Sequence, residues 1–206
     1  MVEAGVRLDY MEQPAWGVWL AGLERSAPGE AIENALRWLV ERTQSRQGIL
    51  LLPDPRGEQV EFAYVAGERA TELRGFRVRP QDTILEPTLL RREFWEYHAQ
   101  THQEPIGAIT TGLAAPLPTL PLSAVALLNR PEPYESSHRA LLTQFATPLE
   151  LFARLSRALQ QLEQRERALK WLGRLPQRLG SELSVQRALE AVESLMRKAA
   201  PEGGGV

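Results

Sequence analysis

The chain has 206 residues, with 43% hydrophobic and 24% charged residues and a formal net charge of -2 at pH 7. This composition is typical of a globular protein, and it excludes a disordered or fibrous chain and a strongly basic whole-protein surface for nucleic acid. The sequence contains no cysteine, which excludes disulfides, thiolate metal sites and thiol nucleophiles.

The N-terminal segment predicts two helices and no targeting signal. Residues 1–13 carry several charges and lack the apolar core of a signal peptide, so we expect a cytoplasmic protein. Apolar side chains at helical spacing from Trp16 to Leu23 predict a short amphipathic helix. A second helix is expected to be capped by Ser26, to have Pro28 in its first turn and to end near Thr43.

The next segment has the pattern of a β-hairpin. Ile49–Leu52 is a short apolar run, residues 54–57 read Asp-Pro-Arg-Gly as a turn, and apolar residues alternate with polar ones from Val60 to Val65. We predict that this hairpin pairs antiparallel and lies beside a strand at 123–128. A short strand is predicted at 76–78, and a helix from Thr88 to His102.

Residues 105–129 contain no charge and are long enough for a membrane-spanning helix, but four prolines lie among them. An interior proline costs a helix about 3 kcal/mol. We therefore predict two buried strands, 113–117 and 122–128, joined by a proline-rich turn, and no membrane segment.

A long helix is predicted from Glu135 to Trp171, with Pro148 expected to kink or split it, and a last helix after Gly180. The order of helix, hairpin, helix, strands and long helix is typical of the α+β class. In this interpretation residues 1–26 are an N-terminal amphipathic helix, 27–165 the main domain and 166–206 a helical tail.

Five segments in this order resemble the GAF domain, a PAS-like small-molecule sensor fold. They are the opening helix at 32–42, the hairpin Leu-Leu-Pro-Asp-Pro-Arg-Gly at 51–57, the strands 113–117 and 123–129, and the closing helix near 134–146. The resemblance implies a central antiparallel sheet with the first and last helices on one face, and a ligand pocket on the other face near residues 76–112.

The same resemblance limits the chemistry. The acidic pair of the family's cyclic-nucleotide subset is replaced by His138-Arg139, which argues against cyclic-nucleotide binding. Bilin attachment and the family's methionine-sulfoxide reductase chemistry both use cysteine, which this chain lacks. No catalytic set emerges from the sequence, so we expect a non-enzymatic protein with no cofactor.

The segment that matches the pocket region combines arginines, aromatic residues and hydroxyl groups. Arginine binds carboxylates or phosphates, and an aromatic ring stacks on a planar ligand. The competing interpretation is a set of core aromatics beside a solvated charged face. The predicted ligand-binding residues are Arg91, Arg92, Trp95, Tyr97, His98, Thr110 and Thr111.

His98 and His102 would share one face of the predicted helix, at the spacing of two metal ligands. A closed structural site normally takes four ligands. We therefore predict no metal and interpret the pair as exposed histidines near a helix end.

Leucines recur at spacings of three and four along the second half of the long helix, at 155, 159, 162, 169 and 172. Such a stripe predicts a helix-packing seam. We expect a homodimer through the N- and C-terminal helices. The alternative is that the tail after Gly180 folds back over the stripe.

The sequence thus predicts a regulatory or sensory module that binds an unknown small molecule and signals to a partner protein through dimeric helix packing. Two alternatives remain open. One is a structural interaction module without a ligand. The other is a transcription regulator whose tail contacts DNA through residues such as Arg187 and Lys198. Nucleic acid is not the partner that we expect.

Overall fold

The computed structural model describes residues 27–104 and 107–179, together with 190, 193 and 194. The predicted helix at 16–23 lies outside the described residues. So does the predicted helix after Gly180, except for positions 190, 193 and 194. The helices are α1 (Pro28–Thr43), α2 (Ala70–Leu73), α3 (Glu86–Leu90) and α4 (Ser136–Leu179), with a 3-10 turn at Pro80–Asp82. The strands are β1 (Gln47–Pro53), β2 (Val60–Gly67), β3 (Arg77–Val78), β4 (Trp95–Glu104), β5 (Gly107–Pro116) and β6 (Ala124–Leu128).

The six strands form one antiparallel sheet in the order β3-β2-β1-β6-β5-β4. In the hairpin Ile49 lies opposite Val65, and on its other side β1 pairs with β6, where Ile49 lies opposite Ala126. The predicted α+β class, the hairpin and its position beside the strand at 123–128 are therefore confirmed.

The sheet is buried on both faces, as the alternation in β1 illustrates. Leu50 and Leu52 belong to a first core with α1 and α4, whereas Ile49 and Leu51 belong to a second core on the opposite face. Successive strand residues point to opposite faces, so a continuous apolar run such as Ile49–Leu52 is expected where both faces are covered. The helices that open and close the domain share one face, as the resemblance implied.

Helix α1 follows its predicted course with one correction at its start. Its capping residue is Ala27 and not Ser26, and no side chain caps it, while Pro28 occupies the first turn. Proline needs no hydrogen-bond acceptor there, because the first N–H groups of a helix have no intrahelical partner. The apolar face with Ile32, Leu36 and Leu39 is fully buried in the first core.

The predicted helix from Thr88 to His102 is wrong. Helix α3 ends at Leu90, and Trp95–Glu104 is strand β4, whose Trp95 lies opposite Ala114 of β5. Aromatic residues favour strands, and pairing with β5 supplies the backbone hydrogen bonds that an isolated helix would have made internally. His98 and His102 consequently flank a register irregularity in a strand and do not share a helix face.

Helix α4 runs without interruption from Ser136 to Leu179, so the predicted split at Pro148 does not occur. Its buried residues lie on both sides of the proline, Leu142 and Phe145 before it and Leu149 and Ala153 after it. Packing of these four side chains in the first core holds both halves of the helix in place.

The chain divides into two compact units, residues 1–157 and 158–206. The sheet and both cores belong to the first unit. In the second unit residues 158–179 continue α4, and there Leu159, Leu162, Leu169 and Leu172 are 41–67% exposed. No helix among the described residues is long and apolar enough to cross a membrane.

Candidate functional site

The second core lies between the sheet and the segment 80–92, which we call the lid segment. The lid segment contributes Leu85 and Leu89, both buried, and α2 contributes Leu73. The remaining buried members come from the strands: Ile49, Leu51, Val60, Phe62, Val65, Val78, Ile109, Ala114, Ala124, Ala126 and Leu128. This is the face on which the resemblance placed the ligand pocket.

Small residues occupy the part of this face formed by the two central strands. Ala114 of β5 lies opposite Ala126 of β6, and Ala124 is two residues before it. Gly112 follows the same alternation, and a Cβ atom at that position would lie 2.4 Å from Cζ3 of Trp95. Real carbon atoms do not approach so closely, so glycine at 112 is what permits the Trp95 ring to lie against the sheet.

Trp95 and Tyr97 stand next to each other on the edge strand β4. Two residues apart on a strand, they point to the same face of the sheet. Their rings are stacked, with centroids 5.6 Å apart and an interplanar angle of 4°, and both pack against the second core while remaining partly exposed. This pair offers an aromatic surface at the edge of an otherwise apolar core.

Thr88 in α3 is the unusual polar residue of the lid segment. It is fully buried, and its hydroxyl has no hydrogen-bond partner in the part of the chain that the structure describes. Thr83, the other buried threonine of this segment, accepts a hydrogen bond from the N–H of Leu85 at 3.3 Å. The Thr88 hydroxyl is therefore a buried polar group that the described side chains leave unsatisfied.

The two predicted arginines make contacts other than those expected of a ligand clamp. The Arg91 guanidinium lies 3.5 Å from the Glu86 carboxylate at an exposed position. The Arg92 guanidinium donates to the backbone carbonyls of Leu117, Pro118 and Leu120. Both guanidinium groups therefore contact other groups of this protein, a carboxylate for Arg91 and backbone carbonyls for Arg92.

The remaining predicted residues lie along strands β4 and β5. His98 is exposed and lies opposite Thr111. The Thr111 hydroxyl donates to the carbonyl of Arg130 at 2.7 Å, and the Thr110 hydroxyl lies 3.4 Å from Oδ1 of Asn129. Of the seven predicted residues, the structure brings Trp95 and Tyr97 to the second core. Among the described residues, no three potential metal ligands come together.

Sequence reasoning missed the features that give the second core its character. Thr88 and Gly112 lie in no motif, and the alanines at 114, 124 and 126 belong to segments that carry the family resemblance without being singled out for their small size. The alternation of small residues in the two strands was the available signal, because it marks one face of each strand. The sequence does not show that the Thr88 hydroxyl lacks a hydrogen-bond partner, because this depends on which residues lie near it in space.

Neither a protein-family model nor a characterised protein matches the sequence of this chain. Solved structures do match its fold. The GAF domain of an Acinetobacter phosphoenolpyruvate-protein phosphotransferase is 11% identical, with a TM-score of 0.60 over 70% of this chain and 94% of that one. The second GAF domain of DevS from Mycobacterium smegmatis is 14% identical, with a TM-score of 0.53 over 66% and 99%.

A type II free methionine-R-sulfoxide reductase from Thermoplasma acidophilum is also similar in fold, at 10% identity and a TM-score of 0.51 over 61% of this chain and 91% of that one. At these identities the likeness concerns the fold. The order of strands and the position of the helices agree with it. The chain therefore has a GAF-like fold, as its sequence predicted.

Proposed function

We propose that the protein is a non-enzymatic regulatory module of the sensory type, which binds a small ligand at the second core and signals through the pairing of helix α4 with that of a second copy. The observation that carries the ligand proposal is the buried, unpartnered hydroxyl of Thr88. A buried hydroxyl without a hydrogen bond costs about 1–3 kcal/mol. A polar atom of a bound ligand would remove that penalty.

The apolar members of the second core favour a neutral and largely apolar ligand with one polar atom. Two charged residues are buried among the described residues, and both make hydrogen bonds to groups other than Thr88. Arg130 donates to the carbonyl of Thr43, and Glu150 accepts from the N–H of Thr119. Trp95 and Tyr97 supply a partly exposed aromatic surface. Small-ligand sites usually combine apolar walls with few polar groups.

Native mass spectrometry of the purified protein tests this proposal by looking for a retained small molecule. Titration with N-phenyl-1-naphthylamine, a neutral aromatic probe with one N–H group, complements it. Thr88→Val should weaken binding of the probe about three- to tenfold, the range of one hydrogen bond. Gln81→Ala, at an exposed position of the same lid segment, serves as the control and should leave probe binding unchanged. Absence of a retained molecule together with unaltered probe binding by Thr88→Val would refute the proposed site.

The exposed leucines of α4 support the pairing of two copies. Leu155, Leu162 and Leu169 are seven residues apart, Leu159 lies between the first two, and all four are exposed. Burying a leucine gains about 1.5–3 kcal/mol. A repeat of seven with a second apolar position matches the seam of paired helices. Another copy of α4 carries the same stripe and is its natural partner in a two-fold assembly.

Light scattering of a charge-matched pair of variants tests this assembly. Leu159→Glu with Leu162→Glu should give a folded monomer from a native dimer. Gln160→Glu with Gln161→Glu adds the same charge to neighbouring exposed positions of α4 and should leave the mass unchanged. A native protein that is monomeric at high micromolar concentration would exclude the two-fold pairing.

One alternative has its own support. The second core is packed by the protein's own side chains, since Phe62, Leu85 and Leu89 are at most 2% exposed. A module filled in this way would act as a structural interaction domain without a ligand. As for enzymatic alternatives, one similar structure is a methionine-sulfoxide reductase, but this chain contains no cysteine to act as a thiol nucleophile.

A further inference from the structure

The turn between β5 and β6, residues 117–120, is bound from two directions. From the lid segment, Arg92 donates through Nη2 to the carbonyls of Leu117 at 2.5 Å and Pro118 at 2.7 Å, and through Nη1 to that of Leu120 at 3.0 Å. One guanidinium therefore holds three of the four carbonyls of the turn. Its planar array of donors suits such a fan of acceptors.

From the other side the turn is held by α4. Glu150 is buried, and its carboxylate accepts from the N–H of Thr119 at 2.8 Å and from the Thr119 hydroxyl. Arg154, one helical turn later, lies 2.8 Å from the same carboxylate and also donates to the Thr119 hydroxyl. Burial opposes ionisation of Glu150, but these hydrogen bonds and the Arg154 charge outweigh it and hold the pKa of Glu150 below its ordinary value.

Arg92 occupies a backbone conformation that bulky residues rarely adopt. Its φ is 59°, in the left-handed region. The three hydrogen bonds of the guanidinium accompany that conformation, and a strained residue persists only where its surroundings hold it. Loss of those bonds would release the backbone at 92, two residues after the end of α3. Pro118 in the turn and Pro121 after it restrict the backbone there, because a proline ring fixes φ.

We propose that the 117–120 turn couples the lid segment to helix α4, with Arg92 and Glu150 as the two positioning residues. Displacement of the lid segment would withdraw Arg92 from the carbonyls of the turn and loosen the Thr119 contacts to Glu150 and Arg154. Coupling of this kind is reciprocal, so a change at Glu150 must affect the lid segment in turn. That ligand binding displaces the lid segment rests on the proposed function. The coupling itself is a property of the ligand-free protein.

Hydrogen exchange of the full chain, with no ligand added, tests the coupling. Arg92→Gln should accelerate exchange at the Thr119 amide and at the amides of 150–154 by at least about threefold, and Glu150→Gln should do the same at 86–92. Arg91→Gln is the matched control, because Arg91 contacts Glu86 within the lid segment. It should leave 150–154 unchanged.

The reciprocal design makes the result decisive. If Arg92→Gln accelerates exchange in the 117–120 turn alone, or Glu150→Gln leaves the lid segment unchanged, the coupling is refuted. Should Arg92→Gln fail to fold, Arg92→Lys keeps the charge but loses the planar fork, and the same comparison applies. Failure of ligand binding would not alter any of these outcomes, so the two proposals are tested separately.

Discussion

Replacement of Thr88 by valine removes the buried hydroxyl that lacks a partner while keeping the shape of the side chain. Threonine and valine have similar helix propensities, so the local backbone preference is unchanged. Thr88 is 0% exposed and its Oγ1 atom has no partner among the described residues. An unsatisfied buried hydroxyl costs about 1–3 kcal/mol, so the ligand-free variant should be more stable than the native protein by about 1–2 kcal/mol.

Urea denaturation of ligand-free protein measures this difference, provided that the slope of the transition is the same for both proteins. Thr43→Val is the matched control. Thr43 is also helical and 0% exposed, but its hydroxyl donates to the carbonyl of Leu39 at 2.7 Å and lies 2.7 Å from the Ser45 hydroxyl. This variant should lose about 1 kcal/mol or more, because satisfied hydrogen bonds are removed.

The two variants are thus predicted to change stability in opposite directions. A loss of 1 kcal/mol or more in Thr88→Val, comparable with that expected in Thr43→Val, would mean that the Thr88 hydroxyl is already hydrogen-bonded in solution. The Thr88 hydroxyl would then need no ligand as its partner, and the proposed ligand site would lose its support.

Three further predictions concern other parts of the fold. Glu150→Gln should destabilise the protein at neutral pH, and the difference in stability should shrink below about pH 4.5. The pKa of Glu150 in the folded protein is lowered from 4.5, so its stabilising contribution exists above that value and is lost as pH falls. Denaturation at pH 7 and pH 3.5 measures the difference, and an equal loss at both values would disprove this prediction. Gly112→Ala should lower the free energy of unfolding by about 1–3 kcal/mol and alter the Trp95 fluorescence, because the new Cβ would lie 2.4 Å from the Trp95 ring. An unchanged emission spectrum and an unchanged melting temperature would contradict this. Burial and the Arg130 charge lower the pKa of His138 from 6.5, and its Nδ1 accepts from the N–H of Glu135 at 3.0 Å, so stability should fall as pH drops below about 6.5. His138→Gln should flatten that dependence between pH 7 and pH 5, and an equal slope in both proteins would exclude His138 as its source.

Segments whose pattern is satisfied by near neighbours could be predicted from the sequence. The hairpin is one, because the apolar run at 49–52, the turn around Gly57 and the alternation after Val60 all favour the same structure. In the fold, the Gly57 N–H donates to the Asp54 carbonyl at 3.0 Å, and Asp54 accepts from two further amides of the turn. The apolar face of α1 and the existence of two buried strands after residue 105 were predictable for the same reason. Their bounds differ from the predicted 113–117 and 122–128, because β5 begins at Gly107 and β6 begins at Ala124.

Residues whose role depends on distant partners could not be predicted in this way. The segment 95–104 has aromatic residues that fit a helix or a strand, and pairing with β5 decides for the strand. The sequence near Arg92 likewise gives no sign that its guanidinium donates to the carbonyls of Leu117, Pro118 and Leu120.

The sequence by itself thus determined the α+β class, the hairpin, the GAF-like order of elements and the apolar stripe of α4. Only the tertiary structure decided where β4 begins, why α4 continues through Pro148, which side chains bind within the protein and which buried hydroxyl lacks a partner. The physical reason is that periodicity reports which face of an element is buried. Hydrogen-bond satisfaction depends on groups brought together from distant positions, such as Thr119 and Glu150.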